Sequence, residues 1–544
     1  MKKIRLYVQT LKYLKISQLY WRIQRKIIKR PKLVSIQIHT QNIDLNLWIS
    51  SISKKSSLIS ENPWKFTFLN QQGDLKHGWN DVSQSKLWLY NLHYHDFLCS
   101  DLNIETKFSL ILDWIEKNPP QIGNGWEPYT LSLRIVNWIK FYFRYKVVPQ
   151  GFWESLSLQT QSLMNQLEFH LLGNHLFENA KALIFSGCIF HSIHAQKWKE
   201  KGFSILKTQM QEQILDDGGH FERSPMYHAI ILEDVLDLIN LSKMLKFPFE
   251  LKETLEKNAY QMFRWLNSMI HPDGDISFFN DTTFGISSSF EELSSYAKRL
   301  NISVKDTSLA LHFMKNSQFV MAKNQDVYLV ADMGSIAPNY QPGHAHAETF
   351  SFELSLYGER LFINRGISTY DNNSVRHEER GTSAHNTLCL YHENSSHVWS
   401  AFRVAERARV SNLFTKEEKE TKIFGARHDG YLKKYGVYHE RCFFLNPTSL
   451  KIKDILQGKG EHKAELFFHI HPSWQVVQKD HHHFIFSKKE KRVYLEFDQK
   501  TLCFLQPSVW SCEYHQHEPN QKIKVSLTTK VNAPWNTSIT WDCK

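Results

Sequence analysis

Cysteine is scarce and unpatterned in this chain. Seven are scattered over 544 residues, the number is odd, and no Cys-x-x-Cys occurs. That argues against a disulfide framework and a cysteine zinc knuckle, and points to a reducing compartment. A Gly-x-Ser-x-Gly nucleophile elbow is also missing, which removes the usual serine-hydrolase signature. No uninterrupted apolar stretch with a small-residue cleavage site follows Met1, so no signal peptide is expected, and a cytoplasmic location follows. Acidic residues are absent before Asp44, whereas eleven Lys and Arg precede it, so this segment carries the whole net charge of +11. The remainder is formally neutral and lacks the basic footprint of a nucleic-acid binder.

That basic segment, MKKIRLYVQTLKYLKISQLYWRIQRKIIKR, is too charged to span a bilayer. Its Leu6, Leu11, Leu14, Leu19, Ile23 and Ile27 recur at helical spacing between the charges. A basic amphipathic helix of this kind suits the anionic inner face of a membrane, each base contributing about 1 kcal/mol near the leaflet. The plainer alternative is a helix packed on the protein with its charges in water. Residues 1–43 are set apart as this segment, and peripheral membrane association is expected of residues 1–32.

Beyond it the hydrophobic period changes once. Amphipathic runs at 106–117, 128–146, 151–171, 175–193, 199–215, 226–246 and 251–270 predict successive antiparallel helices, hence an α/α toroid over 44–310. After about residue 316 the period becomes two, in 319–334, 349–364, 435–447 and 491–507, with Gly358 at a hairpin turn. Residues 311–544 therefore read as an antiparallel β-sandwich. The fold class is α+β multidomain.

Four stretches are too polar for their surroundings: GNHLFENA (173–180), DDGGHFERSPMYH (216–228), PGHAHAETFSFEL (342–354) and RHEERGTSAHNTL (376–388). In the second, Ser224 suits an N-cap and Pro225 a first helical position, which puts Tyr227 and His228 in the first turn at the domain's mouth. In the third, the period of a strand points His344 and His346 the same way. Asn, His and Tyr without an obvious carboxylate pair differ from the two acids that glycoside hydrolysis normally needs. They suit proton abstraction beside a carboxylate that hydrogen-bond donors neutralise.

In this order GNHLFENAKAL, ILDDGGHFERSPMYH, GHAHAETFSFELSLYGERLFINRGISTY and RGTSAHNTL resemble the heparinase II/III family of polysaccharide lyases and the related alginate lyases; WLYNLHYHDFL and GNGWEPYTLSLRIVNW add to the likeness. The resemblance covers roughly residues 85–475. It implies an incomplete N-terminal α/α toroid, a C-terminal β-sandwich, a cleft between them, and β-elimination on a uronate-containing acidic polysaccharide. By motif position it implies that Asn174 neutralises the uronate carboxylate with help from His175. Tyr227 would be the catalytic acid and, depending on the C5 configuration, also the base, unless a histidine takes the C5 proton; His344 would reach over from the β domain. Tyr370 would be a second site tyrosine, and His346 and His385 would hold a structural divalent metal, zinc or calcium. No organic cofactor is implied. Arg223 or His344 would supply positive charge near Tyr227, and Glu178 and His228 complete the substrate-binding set.

Two positions depart from the pattern. Asn364 stands where metal-binding members carry an acid, and an amide is a poorer zinc ligand. Glu348 replaces the commoner Asp of HAHAD, as a third ligand or an orienter of His346. The basic segment in place of a signal peptide suggests work on surface polysaccharide being made. Two other readings stay open: a hydrolase or tailoring enzyme on a non-uronate glycan, using Asp216, Asp217 and Glu222, and a non-catalytic glycan-binding protein.

Overall fold

The computed structural model describes residues 2–34, 36, 39–304, 309–498 and 501–542. The basic segment is not one helix but two, α1 (Lys2–Leu11) and α2 (Ile16–Ile27). Lys15 leaves helical geometry at ψ 142°, and its N–H is taken by the Gln18 side chain at 3.0 Å, which restarts the helix. Among the described residues no helix is long and apolar enough to cross a membrane.

The helical domain continues with α3 (Lys86–Tyr94), α4 (Ile104–Lys117), α5 (Pro128–Tyr145), α6 (Phe152–Met164), α7 (Gly173–Ile189), α8 (Ile193–Gln213), α9 (Pro225–Met244), α10 (Phe249–Ser268) and α11 (Phe290–Arg299). A three-stranded sheet, Leu58–Glu61, Trp64–Phe68 and Gln71–Asp74, precedes α3; its strands are too short for sequence periodicity to register. In α7 every residue except His175 is buried, so this helix runs through the middle of the toroid. Lys181 on α7 donates to Asp234 (2.5 Å) and Asp237 (2.7 Å) of α9, and Lys140 of α5 pairs with Asp237. Buried charges of both signs thus lie together and satisfy one another, as a dry interior requires.

Ser224 caps α9 by accepting the Tyr227 N–H at 3.2 Å, with Pro225 as its first residue. α11 begins with a capping box between Ser289 and Glu292.

The C-terminal part is two facing antiparallel sheets. One runs Leu502–Glu513, Gln516–Lys530, Glu461–Ile470, Glu359–Phe362, Phe352–Leu356, Val327–Asp332, Phe319–Lys323, Leu311–Met314, with Leu388–Leu390 also on the third strand. The other runs Val410–Glu418, Thr421–His428, Tyr438–Asn446, Ser449–Gln457, Trp535–Trp541, Lys491–Phe497, His483–Lys488, Gln475–Gln478. Phe352 of one sheet meets Phe443 of the other edge to face at 5.6 Å within a core of Leu, Ile and Phe. Tyr357 and Gly358 form the two-residue turn between Phe352–Leu356 and Glu359–Phe362, both at positive φ (56° and 81°).

The HxH stretch is not a strand. Residues 342–351 are irregular, and their backbone bonds elsewhere: His346 N–H donates to Asn280 Oδ1, Ala347 N–H to Arg380 O, and His344 O accepts from Asp281 N–H. Pro342 and Gly343 break the ladder, and Phe350 sits at φ 68°.

Candidate active site

A cavity of about 810 Å³ lies between the toroid and the sandwich. From the toroid come the N-terminus of α7 and the one α9 stripe left open by packing, Tyr227, Ile230 and Glu233. From the β domain come His344, Tyr370 and Phe402. Asn174, His175, Glu178, Tyr227, His344 and Tyr370 all line it.

Tyr227 is the centre of the cluster. Its hydroxyl is 3.0 Å from that of Tyr370, and its ring centroid is 4.0 Å from that of His344. Burial raises its phenol pKa, with Tyr370 and Arg376 opposing, so the neutral phenol persists. His344 Nδ1 is 2.8 Å from Asp281 Oδ2, and Arg376 grips both oxygens of that aspartate at 2.5 and 2.7 Å. Burial works against the Asp281 charge, but Arg376 and the two histidines outweigh it and hold its carboxyl well below the usual range. A charged Asp281 accepts the proton on His344 Nδ1, so the neutral ring carries its lone pair on Nε2, 3.7 Å from Glu222.

Asn174 is buried, with its Oδ1 unpartnered and its Nδ2 engaged only by a long 3.4 Å bond to Glu222. Its hydrogen-bonding capacity is therefore not used up inside the protein. Burial raises the Glu222 pKa despite His344 nearby, which favours the protonated, donating acid. His175 Nδ1 meets Glu168 at 3.1 Å. Burial opposes its charge, but Glu168 prevails and raises its pKa. Glu178 is buried against Asp234, and burial together with that neighbouring carboxylate pushes it far above the usual carboxyl range.

Two residues of the expected substrate set lie elsewhere. Arg223 donates to Gln318 Oε1 (3.1 Å), Ser335 O (2.7 Å) and Asn316 O (3.2 Å), so it pins the domain junction. His228 stacks on Trp265 at 4.4 Å, takes the His220 N–H and reaches Met262 O; burial pushes it down to about 3. Being in the same helical turn as Tyr227 does not make it face the same way. Asp217 likewise holds the backbone of Asn316 and Ser317, and Asp216 the Asn316 amide. Of the three acids of the hydrolase reading, only Glu222 touches the cluster.

Sequence reading missed Asp281, Arg376 and Glu168. Arg376 opens the fourth polar stretch, and Asp281 belongs to Asn280-Asp281-Thr282-Thr283, four polar residues after two Phe, a signal of the same kind.

Behind the cluster, His346, Glu348 and His385 bring ligand atoms within 4.8 Å of one another. Glu348 Oε2 is buried without a hydrogen bond, although His385 Nδ1 is 3.2 Å away. Two imidazoles and a carboxylate are a zinc donor set rather than a calcium one. Asn364 Oδ1 instead accepts from Ser351 (2.6 Å) and meets His385 Nδ1 (3.1 Å). Asn364 thus orients His385, and Glu348 is the better third ligand.

Two family descriptions match the chain: Heparinase II/III N-terminus over residues 105–304 and Heparinase II/III-like, C-terminal over residues 306–542. A heparin-sulfate lyase of Bacteroides thetaiotaomicron is 24% identical over 423 residues, covering 68% of this chain and 57% of that protein. One of Pedobacter heparinus is 22% identical over 418 residues, covering 71% and 60%. The matched region is thus less than two thirds of these relatives' own length. The crystal structure of heparinase III shares the fold, with TM-score 0.69 at 18% identity over 96% of this chain and 88% of that one. A Streptomyces coelicolor chondroitin AC lyase, in complex with chondroitin sulphate, gives TM-score 0.53 at 8% identity over 84% and 74%. Two adjoining models that together run from residue 105 to residue 542 place the chain in the heparinase II/III family.

Proposed function

We propose that the protein is a polysaccharide lyase that cleaves a uronate-containing acidic polysaccharide by β-elimination. The observation that carries the reading is the convergence of Asn174, Tyr227, His344 and Tyr370, from both domains, on one cavity. Asn174 and Glu222 donate to the uronate carboxylate, with charged His175 beside them, and so stabilise the negative charge that builds up there. His344 Nε2 takes the C5 proton; its Asp281 contact supports this tautomer. The electrons of the C5–H bond form the C4–C5 double bond as the C4–O bond breaks. The departing oxygen takes the Tyr227 proton, which a neutral phenol has to give. The names of the relatives, heparin-sulfate lyase among them, favour a glycosaminoglycan-like substrate.

His346, Glu348 and His385 would hold a zinc ion. Bound there, it would tie the irregular 342–351 segment to His385 and so support His344. We also place the protein at an anionic membrane face, on polysaccharide under synthesis. This rests on the acid-free basic segment and on the outward exposure of Ile4, Ile16, Ile23 and Ile27.

The test is ultraviolet absorbance of the unsaturated uronate on heparan sulfate, hyaluronan, alginate and bacterial capsular glycans. Absorbance that grows with the wild type and disappears in Tyr227→Phe supports elimination at this site. A folded protein silent on every uronate glycan sinks the lyase reading, and an unaffected Tyr227→Phe sinks the site.

A further inference from the structure

The basic hairpin α1–α2 does not hang free. It bridges the two domains across the mouth of the cavity. On the β side Arg5 and Gln9 donate to Glu406 at 3.0 and 2.9 Å, Tyr7 meets Trp399 edge to face at 5.1 Å, and Arg407 stacks on Tyr13 at 3.7 Å. On the toroid side Lys15 pairs with Glu212, Gln18 donates to Leu171 O at 3.3 Å, and Trp21 stacks on Phe169 at 5.0 Å. Its inner face, Tyr7, Leu11, Leu14, Gln18 and Arg22, is part of the cavity lining.

The cations of this cavity fall into two groups. The lysines are neutralised: Lys54 by Glu233, Lys86 by Glu127, Lys181 by Asp234, Lys140 by Asp237. Arg22 on α2 and Arg403 of the β domain have no acidic partner among the described residues. Both line the cavity and are solvent-exposed: Arg22 has a single long bond from Nε to His170 O at 3.5 Å, and Arg403 lies over the rings of Tyr7 and Trp399 at 5.0 and 4.9 Å. The two are close enough to repel: after burial, Arg403 is what lowers the Arg22 pKa. Two like charges facing one cavity, one from α2 and one from the β domain, repel each other, and an anion between them would relieve that repulsion. A second chamber of about 700 Å³ adjoins, lined by Arg25 and Arg30 of the same segment and sharing Lys86, Tyr90, Leu171 and His175 with the main cavity.

We infer that the α1–α2 hairpin roofs the substrate channel and that Arg22 and Arg403 together form a subsite for an acidic group of the glycan, carboxylate or sulfate, on a sugar remote from the one being cleaved. The inference rests on the acidic-glycan reading above, and adds a binding site that the hairpin completes. An arginine pair suits it, because guanidinium forks match carboxylate and sulfate oxygens two at a time. Sitting away from the reacting carbon, the pair contributes binding that is equal in ground and transition state. Such binding acts on KM and leaves kcat alone.

The experiment is calorimetric titration of the full chain carrying Tyr227→Phe with hexasaccharides of heparan sulfate (carboxylate and sulfate) and of hyaluronan and alginate (carboxylate only). Arg22→Ala and Arg403→Ala are added one at a time, alongside steady-state kinetics on the background with Tyr227 intact. Each alanine is expected to weaken binding about tenfold and to raise KM to match, with kcat kept within about twofold. Arg22→Lys should recover part of the loss. An effect confined to the heparan sulfate arm assigns the subsite to sulfate, and one shared by all arms assigns it to carboxylate. Unchanged affinity in both alanine variants, with the parent binding normally, overturns the subsite. Binding that depends on Arg22 without any elimination by the wild type overturns the lyase reading and leaves the subsite standing. Failure of the parent to bind any of the three overturns both. Because Arg403 lies on a different element, it decides the matter if Arg22→Ala fails to fold.

Discussion

Glu168 stands behind His175, carboxylate to imidazole at 3.1 Å, and Asn179 one turn further along α7 holds that glutamate in place. The Asn179 amide donates to Glu168 Oε2 at 3.2 Å and its carbonyl accepts the Glu168 N–H at 2.8 Å. The polar positions of GNHLFENA thus divide the work. Asn174 and His175 face the cavity, and Asn179 braces the acid that charges His175.

This pair predicts a pH dependence. The folded His175 has a raised pKa, because Glu168 outweighs burial. Its charge, and the stability the pair contributes, is full below the ordinary histidine value of about 6.5 and is lost as pH rises through the raised one. If the imidazolium helps neutralise the uronate, kcat/KM falls on the alkaline side through the same range. Glu168→Gln should move that alkaline limb to lower pH and reduce kcat/KM at neutral pH. An alkaline limb identical in the variant would show that His175 acts, if at all, without its charge.

The hydroxyl contact between Tyr227 and Tyr370 separates donor from helper. Tyr227→Phe removes the proton given to the leaving oxygen, so kcat should fall by about 10²–10⁴ with KM little changed. Tyr370→Phe removes one hydrogen bond to that donor, worth about 1 kcal/mol, and should lower kcat only about five- to tenfold. Steady-state kinetics on both variants checks the order. A larger loss in Tyr370→Phe would exchange the two roles.

Much of this architecture was legible in the residues. The switch from period 3.6 to period 2 marked the passage from toroid to sandwich, and Ser224-Pro225 marked the start of α9 that presents Tyr227. What was not legible depended on contacts distant in sequence. His344 and His346 share Asp281 although they lie on a loop, so strand periodicity gave a reason for their convergence that the fold does not use. His228 follows Tyr227 yet points into the core, because a helix turns about 100° per residue, whereas Arg223 precedes the helix at φ 58° and points to the domain junction. The N-terminal segment displayed its charge but not its partners, since Glu406 and Trp399 lie some four hundred residues away.

Arg441 predicts a stability effect without a catalytic cause. Its guanidinium, fully buried, meets Asp454 at 2.8 and 3.1 Å and donates to Phe350 O and Asn386 O, tying the segments that carry His346 and His385 to the second sheet. Arg441→Met would leave Asp454 buried with only His439 as partner. The expected loss is about 3–5 kcal/mol, read from urea denaturation midpoints. A loss below about 1 kcal/mol would mean that the pair's attraction barely exceeds its desolvation.

The donor set of His346, Glu348 and His385 predicts zinc in protein purified without chelator, about one per chain by elemental analysis. Glu348→Gln and His385→Ala should each abolish it, and a chelator should lower the thermal midpoint of the wild type but not of these variants. Asn364→Asp adds a carboxylate next to His385 and should tighten zinc retention, as seen in competition with a chromogenic chelator. Metal-free wild-type protein with an unchanged midpoint in added zinc would leave the cluster as a hydrogen-bonded brace.

The hairpin carries a second prediction on its outer side. Ile4, Val8, Ile16, Ile23 and Ile27 are 69, 60, 85, 59 and 73% exposed, on a segment with eleven bases and no acid. Lone exposed apolar residues need no explanation, but a row of five within basic surroundings matches the chemistry of an anionic leaflet. Wild type should therefore sediment with vesicles rich in phosphatidylserine and not with phosphatidylcholine vesicles. Salt at about 1 M, where the screening length is about 3 Å, should release most of it. Ile16→Asp with Ile23→Asp should abolish sedimentation while leaving the cavity-facing Gln18 and Arg22, and hence turnover of a soluble oligosaccharide, unchanged. Loss of turnover together with loss of sedimentation would mean that the outer face serves to hold the roof in place. Sedimentation that survives both substitutions and salt would put membrane contact on some other surface.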